Sequence, residues 1–507
     1  MEVDNNNRFS SLDLRLLAVG ISLLVSFFII LNPSLPNDDA YTYIRIAEIT
    51  LSDGVGAAIQ YYPWAGYSLL IALISKLGVD LTMSAHLINA FFFSVLVYSF
   101  ISIVNLVSNS RSVTVLATIC ILLYPPLNEL RGDIIRDIAM WALTLFALWQ
   151  FLLFLQFYRL PNFLCFCLSL ILASFFRPEA IVYLFSLPFS LLFDNRHPKK
   201  IQIKSFLTIN AITFLCLALV ILLVQFFGID IIAISKEFLA IYEPFVNSTL
   251  NPSEAESSSL SSGIFGEYAS SYSGPYLGVF LTAGLIAILI MKLIEGVGGP
   301  FFFLLIHGAI QRSIKLSTYF SAPLVIFLAT NMVIVLGFIV TTKFVSSRYS
   351  MLFCIVLVLL VPIILDDLIT NLQVMKKKTI GMRVLILFFG YCAFDSFISF
   401  GSSKEYITQS LVWLKSDDHS EAELITNNHA IAYYSGKVKN YDQVPRFVTE
   451  DQIHALRPSD LIAIEMHYEM LQLVEKESVK PYIELQVALP NIEDMALAIY
   501  KKVEPRN

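Results

Sequence analysis

Long apolar runs separated by short polar segments restrict most strongly what this chain can fold into. One helical crossing of a bilayer needs about 20 consecutive apolar residues. Eleven runs, several of them shorter than that, lie at 14–31, 85–107, 113–124, 138–157, 163–176, 180–193, 206–227, 276–293, 320–341, 350–365 and 383–400. The pattern predicts a polytopic α-helical membrane protein with about eleven transmembrane helices. A further apolar run at 301–310 is short for a crossing, and we expect it to be interfacial or re-entrant.

Composition points to the same class. The chain has 507 residues, 56% hydrophobic and 15% charged, and its mean hydropathy is +0.70. An ordinary soluble protein has roughly 25% charged residues. The first run lacks a small-residue cleavage site, so we expect a retained first span. All six cysteines lie in apolar runs, so neither disulfides nor a metal site is expected.

Basic residues indicate how the chain is oriented in the membrane. They concentrate in the loops 195–204, 311–315 and 373–383. If the N-terminus is cytoplasmic and 301–310 does not cross, all three loops lie on the cytoplasmic side, where Lys and Arg are enriched. The outer face then carries 32–82, 125–136, 177–179, 229–274, 343–348 and the C-terminal tail.

Two regions depart from the apolar pattern. The segment 401–507 is polar, has no long apolar run, and contains strand-like stretches at 461–464 and 496–500. We expect it to form a soluble α/β domain of about 100 residues on the outer face, attached to a membrane domain at 1–400. The Ser-rich segment 251–273 is expected to be a mobile outer loop.

An acidic pair follows the first span. Asp38 and Asp39 lie in the segment 32–73, and apolar or small residues then recur at spacings of four, four and three, at Tyr43, Ala47, Leu51 and Gly54. This spacing predicts a short helix along the membrane surface that ends at Gly54. Either carboxylate could have only a structural role, stabilising the N-terminus of this helix. Alternatively, one of them acts as a general base on an acceptor, or orients it.

Further charges lie at the predicted outer ends of later spans. One cluster comprises Glu129, Arg131, Asp133, Arg136 and Asp137. Asp137, directly before an apolar run, is the best candidate for a second carboxylate facing Asp39. Arg131 and Arg136 could pair with it or bind phosphate. These charges could equally pair among themselves in an exposed loop.

Two more basic sites stand beside apolar runs. Arg177-Pro178-Glu179 separates two of them and could be a hairpin turn with a local ion pair. Lys343 and Arg348-Tyr349 could reach lipid headgroups, or their cations could bind a lipid-linked phosphate. His307 is isolated and expected to be structural or interfacial.

The order of these motifs resembles the GT-C glycosyltransferases, in the bacterial branch related to protein O-mannosyltransferases and lipid A aminoarabinose transferases. The resemblance rests on D-D-x-x-x-Y-x-x-I-A at 38–47 and on Y-P-x-x-G-Y-x-L-L-I-A-L at 62–73. It continues through Asp137, R-P-E at 177–179, S-R-Y at 347–349 and the soluble C-terminal tail.

This resemblance implies an enzyme of the inner (plasma) membrane that uses a polyprenyl-phosphate-linked sugar on the outer face. The acceptor would be an envelope glycan, a lipid or a protein, and no nucleic acid would be involved. The role of acceptor base would fall to Asp39 with Asp38 beside it, and that of the second carboxylate to Asp137. The donor phosphate would be bound by basic residues, namely Arg348 first, then Lys343, Arg131 and Arg136. The substrate cavity would include Tyr43, Tyr62, Arg177, Glu179 and Tyr349.

The resemblance leaves metal use open, because some such enzymes use Mg²⁺ or Mn²⁺ and an acidic pair could bind one. Two other functions remain open as well. A transporter or flippase of lipid-linked sugars would often show internal repeats and polar residues near the midplane, and neither is apparent. A non-catalytic assembly factor of envelope glycan synthesis would tolerate the loss of Asp39.

Overall fold

The computed structural model describes residues 13–504, apart from 33, 34, 315, 345, 377, 399–403, 417–421 and most of 227–253. The protein is mostly helical. The helices before the C-terminal domain are α1 (Leu14–Leu31), α2 (Asp38–Ser52), α3 (Val55–Tyr61), α4 (Gly66–Ser75), α5 (Leu81–Ser108), α6 (Arg111–Leu122), α7 (Pro125–Glu129), α8 (Asp137–Phe157), α9 (Leu160–Ser174), α10 (Ala180–Ser186), α11 (Lys199–Phe226), α12 (Glu254–Ser273), α13 (Leu277–Val297), α14 (Gly299–Gln311), α15 (Thr318–Thr342), α16 (Ser347–Val358), α17 (Val361–Val374) and α18 (Lys378–Phe397).

Eight helical segments in the described part of the chain are long and apolar enough to cross a bilayer. The bent pair of α6 and the short helical stretch 125–132, which meet at 43°, would make a ninth. The predicted spans 163–176 and 180–193 correspond to shorter helices. A helical protein embedded in a membrane is therefore supported, whereas the number of about eleven spans stays a prediction. The run at 301–310 lies in α14, which has 13 residues and contains His307.

The centre of the membrane domain is formed by α5 and α8. In α5 and α8, 72% and 78% of the apolar 18-residue stretch is buried inside the protein. The corresponding share in α11 is 11%. Phe93 of α5 and Phe151 of α8 are fully buried in the main core. Helices that are apolar all round but largely exposed, such as α11, suit the periphery of a bundle surrounded by lipid.

Charged residues gather at two opposite ends of this bundle. At one end, Arg196 lies over the ring of Tyr319 and donates to the carbonyl of Leu155, near the end of α8. Nearby, Ser313 Oγ donates to Asp367 at 2.6 Å. We call this the basic-loop end, because the three predicted basic loops lie there. Asp137 begins α8 at the other end, the acidic-loop end, about 30 Å away for 21 residues at 1.5 Å each.

The prediction of a loop at 251–273 is wrong for the described residues. From Glu254 to Ser273 the chain forms α12, with a kink at Gly266, where φ is 77°. The hydroxyls of Ser262, Ser270 and Ser271 donate to carbonyls three residues earlier. Such bonds satisfy serine side chains within a helix, so a serine-rich composition did not require a loop. Residues 251–253 lie outside the described part.

The C-terminal domain is a small α/β domain, as predicted. Its elements are α19 (Glu405–Leu414), β1 (Leu424–Thr426), α20 (His429–Ser435), α21 (Glu450–His454), β2 (Leu461–Glu465), α22 (Tyr468–Glu475), β3 (Ile483–Pro490) and β4 (Met495–Lys502). The strand order is β1-β2-β4-β3, with β1 and β2 parallel and the other pairs antiparallel. Alternate side chains of β2 enter different cores, Leu461 on one face and Ile462 on the other.

This domain packs on α2, the helix that follows the acidic pair. Tyr41 of α2 is fully buried in a core otherwise supplied by the C-terminal domain. Its ring stacks on His429 with centroids 6.0 Å apart, and Tyr433 and Tyr434 also contact it. Tyr441 donates to Glu48 at 2.7 Å. The helix α2 is therefore held between the membrane domain and the C-terminal domain.

The Tyr41 ring, rather than its hydroxyl, should hold the two domains together. Its buried hydroxyl has no hydrogen-bond partner among the described residues. We expect Tyr41→Ala to cost about 3–5 kcal/mol, the usual loss for a large buried aromatic side chain. Tyr41→Phe should be neutral. Limited proteolysis of the purified protein provides the measurement, with faster release of the C-terminal domain expected for Tyr41→Ala. Equal protection of the Ala and Phe variants would contradict this role.

Candidate functional site

A polar cavity of about 240 Å³ opens at the acidic-loop end. Five separate segments contribute its nine lining residues, which are Asp39, Thr42, Tyr43, Tyr62, Arg136, Asp137, Arg177, Arg348 and Tyr349. Eight of these were candidates on the sequence alone, and the structure brings them together. Thr42 was missed. It stands three residues after Asp39 on the same helix, so the helical spacing could have indicated it.

The two acidic residues in the first turn of α2 have different surroundings. Asp39 lines the cavity together with Thr42 and Tyr43, three and four residues later on the same helix face. Asp38 is exposed and does not line it. Both carboxylates suit the positive end of the helix. Asn37, before this turn, accepts a hydrogen bond from the backbone N–H of Ile134 at 2.8 Å, which joins the first acidic loop to the second.

Asp137 and Arg177 form the most buried ion pair of the cavity. The side chain of Asp137 is 5% exposed and that of Arg177 is 11% exposed. Arg177 also pairs with Glu179, with Nε and Oε1 2.6 Å apart, and its guanidinium lies 4.6 Å from the ring centre of Tyr349. Glu179 does not line the cavity itself. Two carboxylates and one ring thus engage Arg177 and fix its position.

Asp39 and Arg348 form a second, more accessible pair. Arg348 Nη1 donates to Asp39 Oδ2 at 2.6 Å. Their side chains are 46% and 25% exposed, respectively. Arg348 comes from the first turn of α16, so this bond connects α2 to the later part of the membrane domain.

Arg136 is the third guanidinium of the cavity, and it is bonded differently. Its Cζ lies 5.4 Å from the ring centre of Tyr62. Its Nη1 is buried and has no hydrogen-bond partner within the described part of the chain. A buried charged donor without an acceptor is costly, and an anion in the cavity would satisfy it.

The loop before Asp137 is held by residues that the sequence analysis missed. The carbonyl of Asp133 accepts from Asn89 Nδ2 at 2.8 Å, and Asn89 Oδ1 accepts from the Tyr67 hydroxyl at 2.9 Å. Burial raises the pKa of the Asp133 carboxyl to about 6, with Arg348 opposing the rise and Asp39 adding to it. Asn and Tyr side chains inside an apolar helix are the signal that could have indicated this network.

Two predicted phosphate ligands lie outside the cavity, contrary to expectation. Arg131 is buried and donates to the hydroxyls of Ser22 and Ser26, at 3.0 and 2.8 Å. It also lies 4.3 Å from the ring centre of Phe93. These contacts use Arg131 to fasten α1 to the bundle. Lys343 is exposed at the end of α15, in a left-handed conformation with φ of 54°.

The described residues contain no group of three or more His, Cys, Asp or Glu side chains that could hold a metal ion. Both cavity carboxylates, Asp39 and Asp137, are bonded to guanidinium groups. Mg²⁺ and Mn²⁺ need oxygen ligands that are free to coordinate. This donor set does not fit a divalent metal, and we assign no step to one.

An apolar groove of about 270 Å³ adjoins the polar cavity. Its lining is mostly apolar and includes Pro63, Trp64, Leu69, Phe175, Leu217 and Val220. Tyr62 of the cavity and Pro63 of the groove are consecutive residues. The Trp64 indole donates to the carbonyl of Ser174 at 2.5 Å. Gly66 packs against the Phe175 carbonyl so closely that a side chain there would overlap it.

No family model matches the chain, and no curated protein matches it. The geometry of the cavity and of the groove therefore carries the functional argument.

The raised pKa of Asp133 gives a pH-dependent prediction. Between about pH 4 and pH 6 the folded protein holds this proton more tightly than the unfolded chain, so ionisation destabilises the fold as the pH rises. Asp133→Asn removes that cost. We expect its Tm in detergent to exceed the wild-type Tm by roughly 2 °C at about pH 8. The gap should narrow towards about pH 4. A gap that is the same at both pH values would contradict the titration of Asp133.

Proposed function

We propose that the protein is a membrane glycosyltransferase of the GT-C type. It transfers a sugar from a polyprenyl-phosphate-linked donor to an envelope glycan, lipid or protein acceptor on the outer face of the membrane. The observation that carries this proposal is the cavity in which two carboxylates meet three guanidinium groups beside an apolar groove. A lipid-linked phosphate has the same two parts, an anionic head and an apolar chain.

The donor phosphate binds to Arg136 and Arg348. Arg136 offers a buried N–H without an acceptor, and Arg348 lines the same cavity from α16. Arg177 is less suited because Asp137 and Glu179 already engage it. The polyprenyl chain lies in the adjoining groove, where its burial is favourable at about 25 cal/mol per Å² of apolar surface.

Asp39 acts as the general base. Its carboxylate takes the proton from the acceptor hydroxyl or amine while the acceptor atom attacks the anomeric carbon. The bond between that carbon and the phosphate oxygen breaks, and the electron pair leaves with the polyprenyl phosphate. Cationic groups stabilise this leaving group, so no protonating acid is needed. One displacement predicts inversion at the anomeric carbon.

The remaining cavity residues shape the sugar site. Asp137 holds Arg177 in place, and so it is a positioning residue more than a second base. The tyrosines 43, 62 and 349 supply rings and hydroxyls around the reacting centre. The basic-loop end faces the cytoplasm under the positive-inside rule. The cavity and the C-terminal domain then face outwards.

Replacing Asp39 tests the proposal most directly. We expect Asp39→Asn to lower transfer at least about 100-fold, the usual share of a general base, while the protein still inserts in the membrane. Asp38→Asn is the matched control, since Asp38 lies outside the cavity. The measurement is mass analysis of envelope glycans and polyprenyl-linked sugars in a deletion strain complemented with each variant.

The outcomes of this experiment separate three functions. If one sugar is absent from a glycan in the deletion and Asp39→Asn strains while its lipid-linked donor persists, the transferase is supported. Full restoration by Asp39→Asn would exclude catalysis by this residue and favour a scaffold. Loss of the glycan together with retention of the donor on the cytoplasmic leaflet would favour a transporter or flippase.

The donor contact of Arg348 can be tested separately. Charge-assisted hydrogen bonds are worth about 1.5–3 kcal/mol, so Arg348→Ala should raise the KM for the donor roughly 10-fold or more. Lys343→Ala is the control, because this exposed lysine does not line the cavity. The measurement is initial transfer rate against donor concentration in purified protein. An unchanged donor KM in Arg348→Ala would remove this residue from the phosphate site.

A further inference from the structure

The two ion pairs of the cavity differ in how readily they can open. Asp137 and Arg177 are almost fully buried, and breaking such a pair leaves an uncompensated charge in a low dielectric. Asp39 and Arg348 are partly exposed, and ion pairs that reach solvent contribute little net stability. Arg348 is therefore the cavity cation that can change partners at low cost.

The bond from Arg348 opposes the role of Asp39 as a base. Asp39 Oδ2 accepts a charge-assisted hydrogen bond from Arg348 at 2.6 Å, and this bond competes with any hydrogen bond from the acceptor to the same oxygen. As long as this ion pair is formed, Asp39 Oδ2 is bonded to Arg348 and not to the acceptor.

An incoming anion can open the pair. Arg136 lines the same cavity and presents a buried N–H with no acceptor among the described residues. A phosphate has several acceptor oxygens and can bond to Arg136 and Arg348 at the same time. The phosphate then competes with Asp39 for Arg348, and where it takes the Nη1 donor the phosphate gains a partner and the carboxylate loses one.

We propose that the donor phosphate displaces Asp39 from Arg348, so that donor binding has to precede deprotonation of the acceptor. This inference rests on the proposed function and adds an order of events to it. Without donor, Asp39 stays bonded to Arg348. With donor bound, the charge of Arg348 serves the leaving group and Asp39 faces the acceptor.

The proposal predicts that removing the base improves donor binding. In the full-length purified protein, Asp39→Asn should bind a polyprenyl monophosphate about three- to fivefold more tightly than wild type, because Arg348 no longer has a competing carboxylate. The control Asp38→Asn removes the same charge one residue away and should bind like wild type. Binding of the uncharged polyprenol should not differ among the three proteins.

A double-mutant cycle assigns the effect to the ion pair. In an Arg348→Ala background, Asp39→Asn should give no further gain in affinity for polyprenyl monophosphate. Asp39→Ser replaces Asp39→Asn if the Asn variant does not fold, as judged by its thermal unfolding. Equal affinities of wild type and Asp39→Asn, or the same gain in Asp38→Asn, would overturn the proposal.

A failure of the proposed function would look different. If wild type binds polyprenyl monophosphate no more tightly than polyprenol, the lipid-phosphate donor is wrong and the ordered mechanism is lost with it. If the phosphate is preferred but the Asn variant gains nothing, the donor stands and only the displacement of Asp39 is wrong.

Discussion

Charge pairing at the acidic-loop end is the constraint on which the rest of the site depends. A guanidinium or carboxylate next to an apolar bundle is costly unless it is paired. Arg177 satisfies this requirement by a hydrogen-bonded ion pair with Asp137, at the start of a central helix, and by a second ion pair with Glu179. The pair joins two segments that are 40 residues apart in the chain. The buried pair thus fixes one part of the cavity lining, and the more accessible pair is Asp39 and Arg348.

The position of Asp39 is determined from both sides of α2. One face of this helix presents Asp39, Thr42 and Tyr43 to the cavity. Another face buries Tyr41 in the C-terminal domain, and Glu48 accepts a hydrogen bond from that domain. A helix of 15 residues that bundle helices contact on one side only would be free to tilt. The C-terminal domain therefore contributes to the geometry of a site that it does not line.

Local sequence patterns predicted the helices and much of the cavity, and they failed where a partner comes from a distant segment. Apolar periodicity locates α5 and α8, and the spacing after Asp39 locates α2, because these signals lie within one helix. Arg131 and Arg136 look alike in sequence. Only the packing of α1 shows that Ser22 and Ser26 engage the first, leaving the second to line the cavity.

The boundary between the polar cavity and the apolar groove indicates which kind of ligand would fit both. Tyr62 lines the polar side, and the next residue, Pro63, lines the apolar side. Gly66 permits close contact with the backbone of Phe175, which brings the end of α9 and Arg177 next to this turn. A purely polar sugar would leave the groove without a partner, and a simple lipid would leave the N–H of Arg136 without an acceptor. A lipid whose head carries a phosphate satisfies both requirements at once.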